Sequence, residues 1–322
     1  MVKCKLNPTL FMLSVVVAAF NEEESVLHFY EELLKFLPKL AKEYEILFID
    51  DGSFDRTLKI LQELEKKDKN IRIFSFRRNH GKAEALTFGF QKAKGDLIVT
   101  LDADLQDRPS EIKKLIDKQE EGYDLVSGWR KDRKDSFAKI IFSKFFNLMA
   151  SAFWGIKLHD YNCGLKLYTK DAAKSLSLYG GMHRFVPLLV AEQGFKVTEV
   201  PVIHDIRRFG KSKYNAIKLI TQSPDMMTMI FLSKYSKRPL HFFGFIGAIL
   251  FGLGILISLY LSILRFQGET IGNRPLLLLG ILLIISGMQL GFSGLIADLV
   301  LNVSSKNQNM SEIMLKYSSE SK

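Results

Sequence analysis

Two apolar runs near the C-terminus constrain this chain more than anything else in it. Leu240–Leu264 contains no Asp, Glu, Lys or Arg, and Pro275–Val300 contains only Asp298, close to its end. Each exceeds the ~20 apolar residues that a helix needs to cross a bilayer core. In hydrocarbon every backbone N–H and C=O must be satisfied within the segment, so such runs are helical. The link, Arg265 to Arg274, is short and makes the pair a hairpin. Lys234, Lys237 and Arg238 precede the first run, and Lys306 and Lys316 follow the second. Positive charge on both flanks places both ends in the cytoplasm and the link outside. Arg265 and Arg274 weaken that rule without reversing it. A helical hairpin buried in a soluble core is the alternative.

The first two thirds read differently. Short apolar runs alternate with amphipathic stretches, and the runs end in polar clusters. Leu13–Ala19 ends at Phe20-Asn21-Glu22-Glu23-Glu24-Ser25, where Asn21 can cap the next helix and the glutamates suit its positive end. Glu45–Ile49 ends at Asp50-Asp51-Gly52-Ser53. Ile71–Phe76 ends at Arg77-Arg78-Asn79-His80-Gly81-Lys82. Helices are expected to about Leu40, over Thr57–Lys67, and on to Lys94. This β-α-β-α order implies a parallel sheet covered by helices. No G-x-G-x-x-G follows the first strand, which argues against a dinucleotide cofactor on this Rossmann-like sheet.

The fourth run, Leu97–Leu101, delivers LDADLQD, residues Leu101–Asp107. Its carboxylates fall at the C-terminal end of a strand, the edge where open α/β sheets bind ligands. In extended chain Asp102 and Asp104 point the same way. Two hard oxygen ligands beside Gln106 suit Mg²⁺ or Mn²⁺, with waters and a diphosphate completing the shell. Further on, a short helix is expected over Pro109–Glu120 and a strand over Tyr123–Gly128. Lys131–Asp135 is charged, and Phe137–Phe153 is aromatic and amphipathic. His159–Tyr168 is a loop entering a strand. Helices follow over Lys170–Leu176 and Arg184–Gln193, then a strand over Phe195–Ile203. Tyr214–Ser236 reads as an amphipathic helix on a membrane surface, or equally as a helix packed on the soluble domain.

The chain has 322 residues and a net charge of +10. A basic chain favours nucleic acid, an anionic membrane or phosphorylated substrates. No nucleic-acid motif is present, and the apolar runs supply the membrane. The two cysteines, Cys4 and Cys163, lie in no metal-binding or disulfide pattern. Cys163 is expected to be a small packed residue.

Five segments occur in order: VVVAAFNEEES (Val15–Ser25), FIDDGSFDRT (Phe48–Thr57), RNHGKAEAL (Arg78–Leu86), LDADLQD, and an HxxRxxGxSKY pattern (His204–Tyr214). Together they resemble family-2 glycosyltransferases of the dolichol-phosphate mannose synthase type. The two C-terminal runs look like the bacterial branch, the undecaprenyl-phosphate glucosyltransferases. The resemblance covers Leu13 to Val303. It implies an α/β, GT-A type fold with a mostly parallel sheet and helices on both faces. An amphipathic juxtamembrane helix and a two-helix transmembrane hairpin would complete it. The domain limits expected are a cytoplasmic transferase domain over 1–213, interfacial helices over 214–238, two spans over 239–303 and a cytoplasmic tail over 304–322. The location expected is the inner or plasma membrane.

By the same resemblance, Ala18, Phe20 and Glu22 line a nucleobase and ribose pocket, with Ile49 and Asp51 holding base and ribose. The family often has Pro and Tyr where this chain has Ala18 and Phe20, a change that keeps stacking and loses a hydroxyl contact. Asp102, Ala103, Asp104 and Gln106 match the metal and diphosphate segment. Arg130, Arg207 and Lys213 match positions that hold phosphate. Asp160 is the candidate for orienting the acceptor or taking a proton, with a loop cap as the equal alternative, while His80 and His159 are expected to be structural. The reaction implied is inverting transfer from a nucleotide sugar, UDP-glucose first and GDP-mannose as the alternative, to polyprenyl phosphate. A lipid phosphate is already ionised near neutral pH and needs no strong base. A non-catalytic membrane scaffold, such as a flippase partner, would not need the acids at Asp102 and Asp104. A processive polysaccharide synthase would carry Q-x-x-R-W and more spans. A homo-oligomer is expected, since Gly244, Gly247, Gly252 and Gly254 permit close helix packing.

Overall fold

The computed structural model describes residues 11–131, 156, 158–205, 239–270 and 275–306. Arg207, Lys213, the 137–153 segment and the expected interfacial helix over 214–238 lie outside them. The chain divides into two compact units, Met1–Asp225 and Met226–Lys322.

The first unit is a seven-stranded sheet: β1 (Met12–Ala19), β2 (Glu43–Asp50), β3 (Ile71–Ser75), β4 (Leu97–Asp102), β5 (Leu125–Arg130), β6 (Lys166–Thr169) and β7 (Val197–Val202). The strand order is β3-β2-β1-β4-β6-β5-β7. Every pairing is parallel except those of β6, which runs antiparallel to both β4 and β5. The helices are α1 (Val26–Leu40), α2 (Thr57–Glu65), α3 (Lys82–Lys92), α4 (Ile112–Gln119), α5 (Lys170–Lys174) and α6 (Val186–Glu192).

Alternation along the strands builds two cores, one on each face of the sheet. Val15 and Val17 of β1 join Val99 of β4 and Leu167 of β6 against α1, α2 and α4. Val16, Ile98 and Tyr168, one residue out of phase, pack on α3, α5 and α6 on the opposite face. Helix α1 buries Val26, Phe29, Tyr30, Leu33 and Leu37, a single 3.6-period stripe. Its start differs from expectation. Asn21 has φ +54° and does not cap α1, whose N-cap residue is Ser25. The Asn21 side chain instead accepts from the Phe54 N–H at 3.1 Å, and its own N–H donates to Ser53 Oγ at 2.9 Å. Glu23 likewise accepts from the Arg56 N–H ahead of α2 at 3.0 Å. The polar residues after β1 therefore tie the first loop to the second.

In the second unit, α7 (Pro239–Phe266) and α8 (Pro275–Lys306) form the hairpin. Both are long and apolar enough to cross a membrane. The glycines set their approach. A Cβ on Gly247 would lie 2.7 Å from the Gly287 carbonyl oxygen, and one on Gly254 would lie 2.7 Å from that of Gly280. Gly247 and Gly254 of the four glycines thus serve contact within the hairpin, whereas Gly252 faces open space.

Candidate active site

Three strand ends define the site. In register, Ala18 of β1 lies between Ile49 of β2 and Asp102 of β4. Residues predicted to line a nucleotide pocket are thereby set side by side across three neighbouring strands. Phe20 stands just beyond β1 and meets Phe54 edge to face, with ring centroids 5.4 Å apart. Phe54 is 83% exposed, so this aromatic pair meets solvent. Glu22 is turned back on its own loop, where its carboxylate accepts from Ser25 Oγ at 2.8 Å.

Asp51 organises a neighbouring loop. Its Oδ1 accepts from the His80 N–H at 2.7 Å, and its Oδ2 from the Gly81 N–H and the Asn79 amide, both at 2.9 Å. Those bonds fix the loop that feeds Lys82 into the site at the start of α3. Asp50 is fully buried and accepts from Ser75 Oγ at 2.6 Å and from the Ser53 N–H at 3.2 Å.

The acidic segment does not run straight. Strand β4 ends at Asp102, and Leu105 has φ +61°. Asp104 therefore lies in a turn, and strand alternation does not relate it to Asp102. Its Oδ1 accepts from the Gln106 N–H at 3.2 Å, a local bond that closes the turn. Ala103 is buried beside it. The Gln106 amide reaches the Asp205 carbonyl at 3.4 Å, and Asp205 is held by Arg108 through two bonds of 2.6 and 2.7 Å.

Asp102 forms an ion pair with Lys82. Burial opposes both charges. Each nevertheless strengthens the other, so the Asp102 pKa is held below the usual carboxylate range and that of Lys82 above the usual ammonium range. Gly164 explains how the acids crowd together. A Cβ there would lie 2.7 Å from Asp107 Oδ2 and 2.8 Å from Asp102 Oδ2, so no larger residue fits between them. Asp107 is also bonded to His204 Nδ1 at 3.0 Å.

Arg130 and Asp160 meet each other. The guanidinium grips the carboxylate through Nε at 2.6 Å and Nη2 at 2.9 Å, with the side chains 11% and 3% exposed. Burial works against the arginine cation, but the Asp160 bonds and charge outweigh it and raise its pKa. Asp160 thus orients Arg130, and its turn is held in place by Glu199 of β7. The Glu199 carboxylate accepts from the His159 N–H at 2.8 Å and the Asp160 N–H at 3.2 Å. Trp129 stacks on the His159 ring at 4.1 Å. Cys163 is buried, and burial together with the Asp107 charge pushes its thiol up to about 12.

Some residues at this edge were not marked by the sequence. Lys166 of β6 is 3% exposed and donates to the Cys163 carbonyl. Burial lowers its pKa to about 8. It sits across from Thr100 on β4 and Ser127 on β5, both buried polar residues. His183 lies beside Lys82 and Asp102, and burial together with the Lys82 and Arg184 cations lowers its pKa to about 3. A lone lysine in a short apolar strand, or a lone histidine in a turn, carries no local signal of such placement.

A sheet of this order, with an acidic cluster at the end of β4, has the GT-A fold. Residues 14–177 match the family described as Glycosyl transferase family 2, and the chain belongs to that family. It is similar to dodecaprenyl-phosphate galacturonate synthase of Rhizobium johnstonii, at 37% identity over 294 residues, covering 89% of this chain and 87% of that one. It is also similar to undecaprenyl-phosphate 4-deoxy-4-formamido-L-arabinose transferase of Proteus mirabilis, at 33% identity over 291 residues, covering 89% and 88%. Among solved structures, glucosyl-3-phosphoglycerate synthase of Mycobacterium tuberculosis with Mn²⁺, UDP and phosphoglyceric acid has a TM-score of 0.55. That match covers 70% of this chain and 78% of the other at 18% identity, a likeness of fold.

Proposed function

We propose that this protein transfers a sugar from a nucleotide sugar to the phosphate of a polyprenyl phosphate, with inversion at the anomeric carbon. One observation carries the reading. Similarity to polyprenyl-phosphate sugar transferases spans 294 residues, longer than the first unit, so it continues into the apolar hairpin. A lipid acceptor accounts for that continuation, because its phosphate is presented at a membrane surface.

A phosphate oxygen of the acceptor forms the new bond to the anomeric carbon. The bond from that carbon to the nucleoside diphosphate breaks, and the electron pair leaves with the diphosphate. The acceptor is largely dianionic near neutral pH, so no side chain need remove a proton. Asp160, engaged with Arg130, then acts by positioning. Arg130, Arg207 and Lys213 hold phosphate oxygens and offset the repulsion between two anions. Ala18, Ile49 and Asp102 seat the nucleoside, Phe20 stacks on it, and Asp51 shapes the pocket through the 79–81 loop.

Asp102 and Asp104 offer hard oxygens suited to Mg²⁺ or Mn²⁺. Among the described residues no three acidic, histidine or cysteine side chains gather into a cage. Asp102, Asp104 and Gln106 would hold such a cation. When bound, the cation neutralises charge developing on the leaving group.

The donor is read as a UDP-sugar. UDP-glucose follows from the sequence resemblance, and the relatives named for galacturonate and formamido-arabinose transfer support testing those two sugars beside it. The test is transfer to undecaprenyl phosphate in detergent from a panel of labelled nucleotide sugars, with Mn²⁺, Mg²⁺ or chelator, alongside Asp104→Ala. One donor should label the lipid, with transfer lost on chelation and in the variant. A product of retained anomeric configuration, read by NMR coupling, would sink the direct displacement.

A further inference from the structure

We propose that the Arg108–Asp205 ion pair is a clamp that sets the Gln106 side chain for the divalent cation, which makes Arg108 and Asp205 positioning residues for the transfer. This rests on the transferase reading above, through the cation that reading employs.

Beyond Asp104 the chain is laced to the residues that follow β7. The Asp205 N–H donates to the Gln106 carbonyl at 2.9 Å. Asp107 and His204 form an antiparallel bridge, and the His204 ring meets Asp107 Oδ1 at 3.0 Å. The Ile203 N–H donates to Glu111 Oε2 at 3.2 Å. Beside this lacing Arg108 grips the Asp205 carboxylate twice, through Nε at 2.6 Å and Nη2 at 2.7 Å. The two residues are 97 positions apart in sequence.

The lacing decides how Gln106 is turned. Its Nε2 lies 3.4 Å from the Asp205 carbonyl oxygen, a long contact that does not by itself orient an amide. A carbonyl only accepts, so the amide presents its NH₂ group there. The amide oxygen, the one side-chain atom of Gln106 suited to a hard cation, is thereby turned away from that carbonyl. The orientation lasts only while Asp205 keeps its place. Arg108 supplies the hold, because a planar guanidinium bonded twice to one carboxylate fixes direction as well as distance. Stability does not account for the pair. Its side chains are 45% and 24% exposed, and ion pairs so open to solvent add little to folding. The exposed pair Lys113–Asp117, by contrast, joins neighbours on one helix, α4.

The experiment uses the full chain in detergent. Mn²⁺ affinity in the presence of UDP is read by electron paramagnetic resonance, with the thermal midpoint measured alongside. The proteins are wild type, Arg108→Ala, Asp205→Asn, the double variant, and Asp117→Asn as the control. The expected result is a loss of Mn²⁺ affinity of fivefold or more in each single variant, with thermal midpoints close to wild type. The double variant should lose no more than the worse single one, since both act through one contact. The control should bind as wild type does. If Arg108→Ala does not fold, Arg108→Lys, which keeps the charge and gives up the fork, carries the same comparison. With wild type binding Mn²⁺, the clamp is overturned by unchanged affinity, by losses that multiply in the double variant, or by a loss that follows a falling midpoint. Each of these leaves the transferase reading standing. A wild-type protein that binds no Mn²⁺ with UDP present overturns the cation's part in that reading and the clamp with it.

Discussion

At the scale of single residues, the buried charges make the sharpest predictions. Lys166 has its pKa lowered to about 8 from an ordinary 10.5, because burial disfavours the ammonium. The unfolded chain binds that proton more tightly, so the penalty is complete below pH 8 and fades as pH rises toward 10.5. Lys166→Met should therefore stabilise the first unit by ~1–3 kcal/mol at pH 7, with the gain shrinking at pH 9.5, as read by thermal unfolding in detergent. Transfer should fall at the same time if the lysine serves the donor's anionic groups. Asp160→Asn should do the opposite. It strands Arg130, 11% exposed, without its counter-charge, and removing one partner of a buried pair costs about 3–5 kcal/mol. Denaturant unfolding measures this, and Arg130→Gln added to Asp160→Asn should restore part of the loss.

At the scale of elements, two close approaches depend on glycine. Between β4 and β6, Gly164→Ala would push a methyl group against the Asp102 and Asp107 carboxylates. Transfer is expected to drop at least tenfold, with a smaller change in thermal midpoint. In the hairpin, Gly287→Leu should force α7 and α8 apart, since a Cβ there lies 2.6 Å from the Gly247 carbonyl oxygen. Gly252→Leu meets nothing within 4 Å and should leave the hairpin intact. Limited proteolysis of both variants in detergent distinguishes them, and equal resistance would contradict the packing.

At the scale of the whole molecule, the charge pattern predicts how the chain meets a membrane. If both ends lie in the cytoplasm, as that pattern predicts, a cysteine introduced for Glu269 in the link should react with an impermeant thiol reagent added to intact cells. One introduced for Ser318 should react only after permeabilisation. The reverse pattern would invert the topology and remove the first unit from cytoplasmic nucleotide sugars.

The sheet and the position of Asp102 could be read from the sequence, because both follow from local periodicity. An apolar run between turn residues buries as a strand, and its end must fall on the ligand edge. The hairpin could be read for the same reason, since length and the absence of charge suffice. The direction of Asp104 does not follow from that logic, because alternation holds only while the strand continues and β4 stops at Asp102. Asn21 was read as a cap for its own helix, yet it reaches the Phe54 N–H 33 residues away. The antiparallel β6 set Lys166 across from Thr100, and the 180–184 turn brought His183 to Lys82. Composition and periodicity determined which segments are buried and which end of the sheet is polar. Only the tertiary structure decided which charges face one another, because that depends on contacts between residues far apart in the chain.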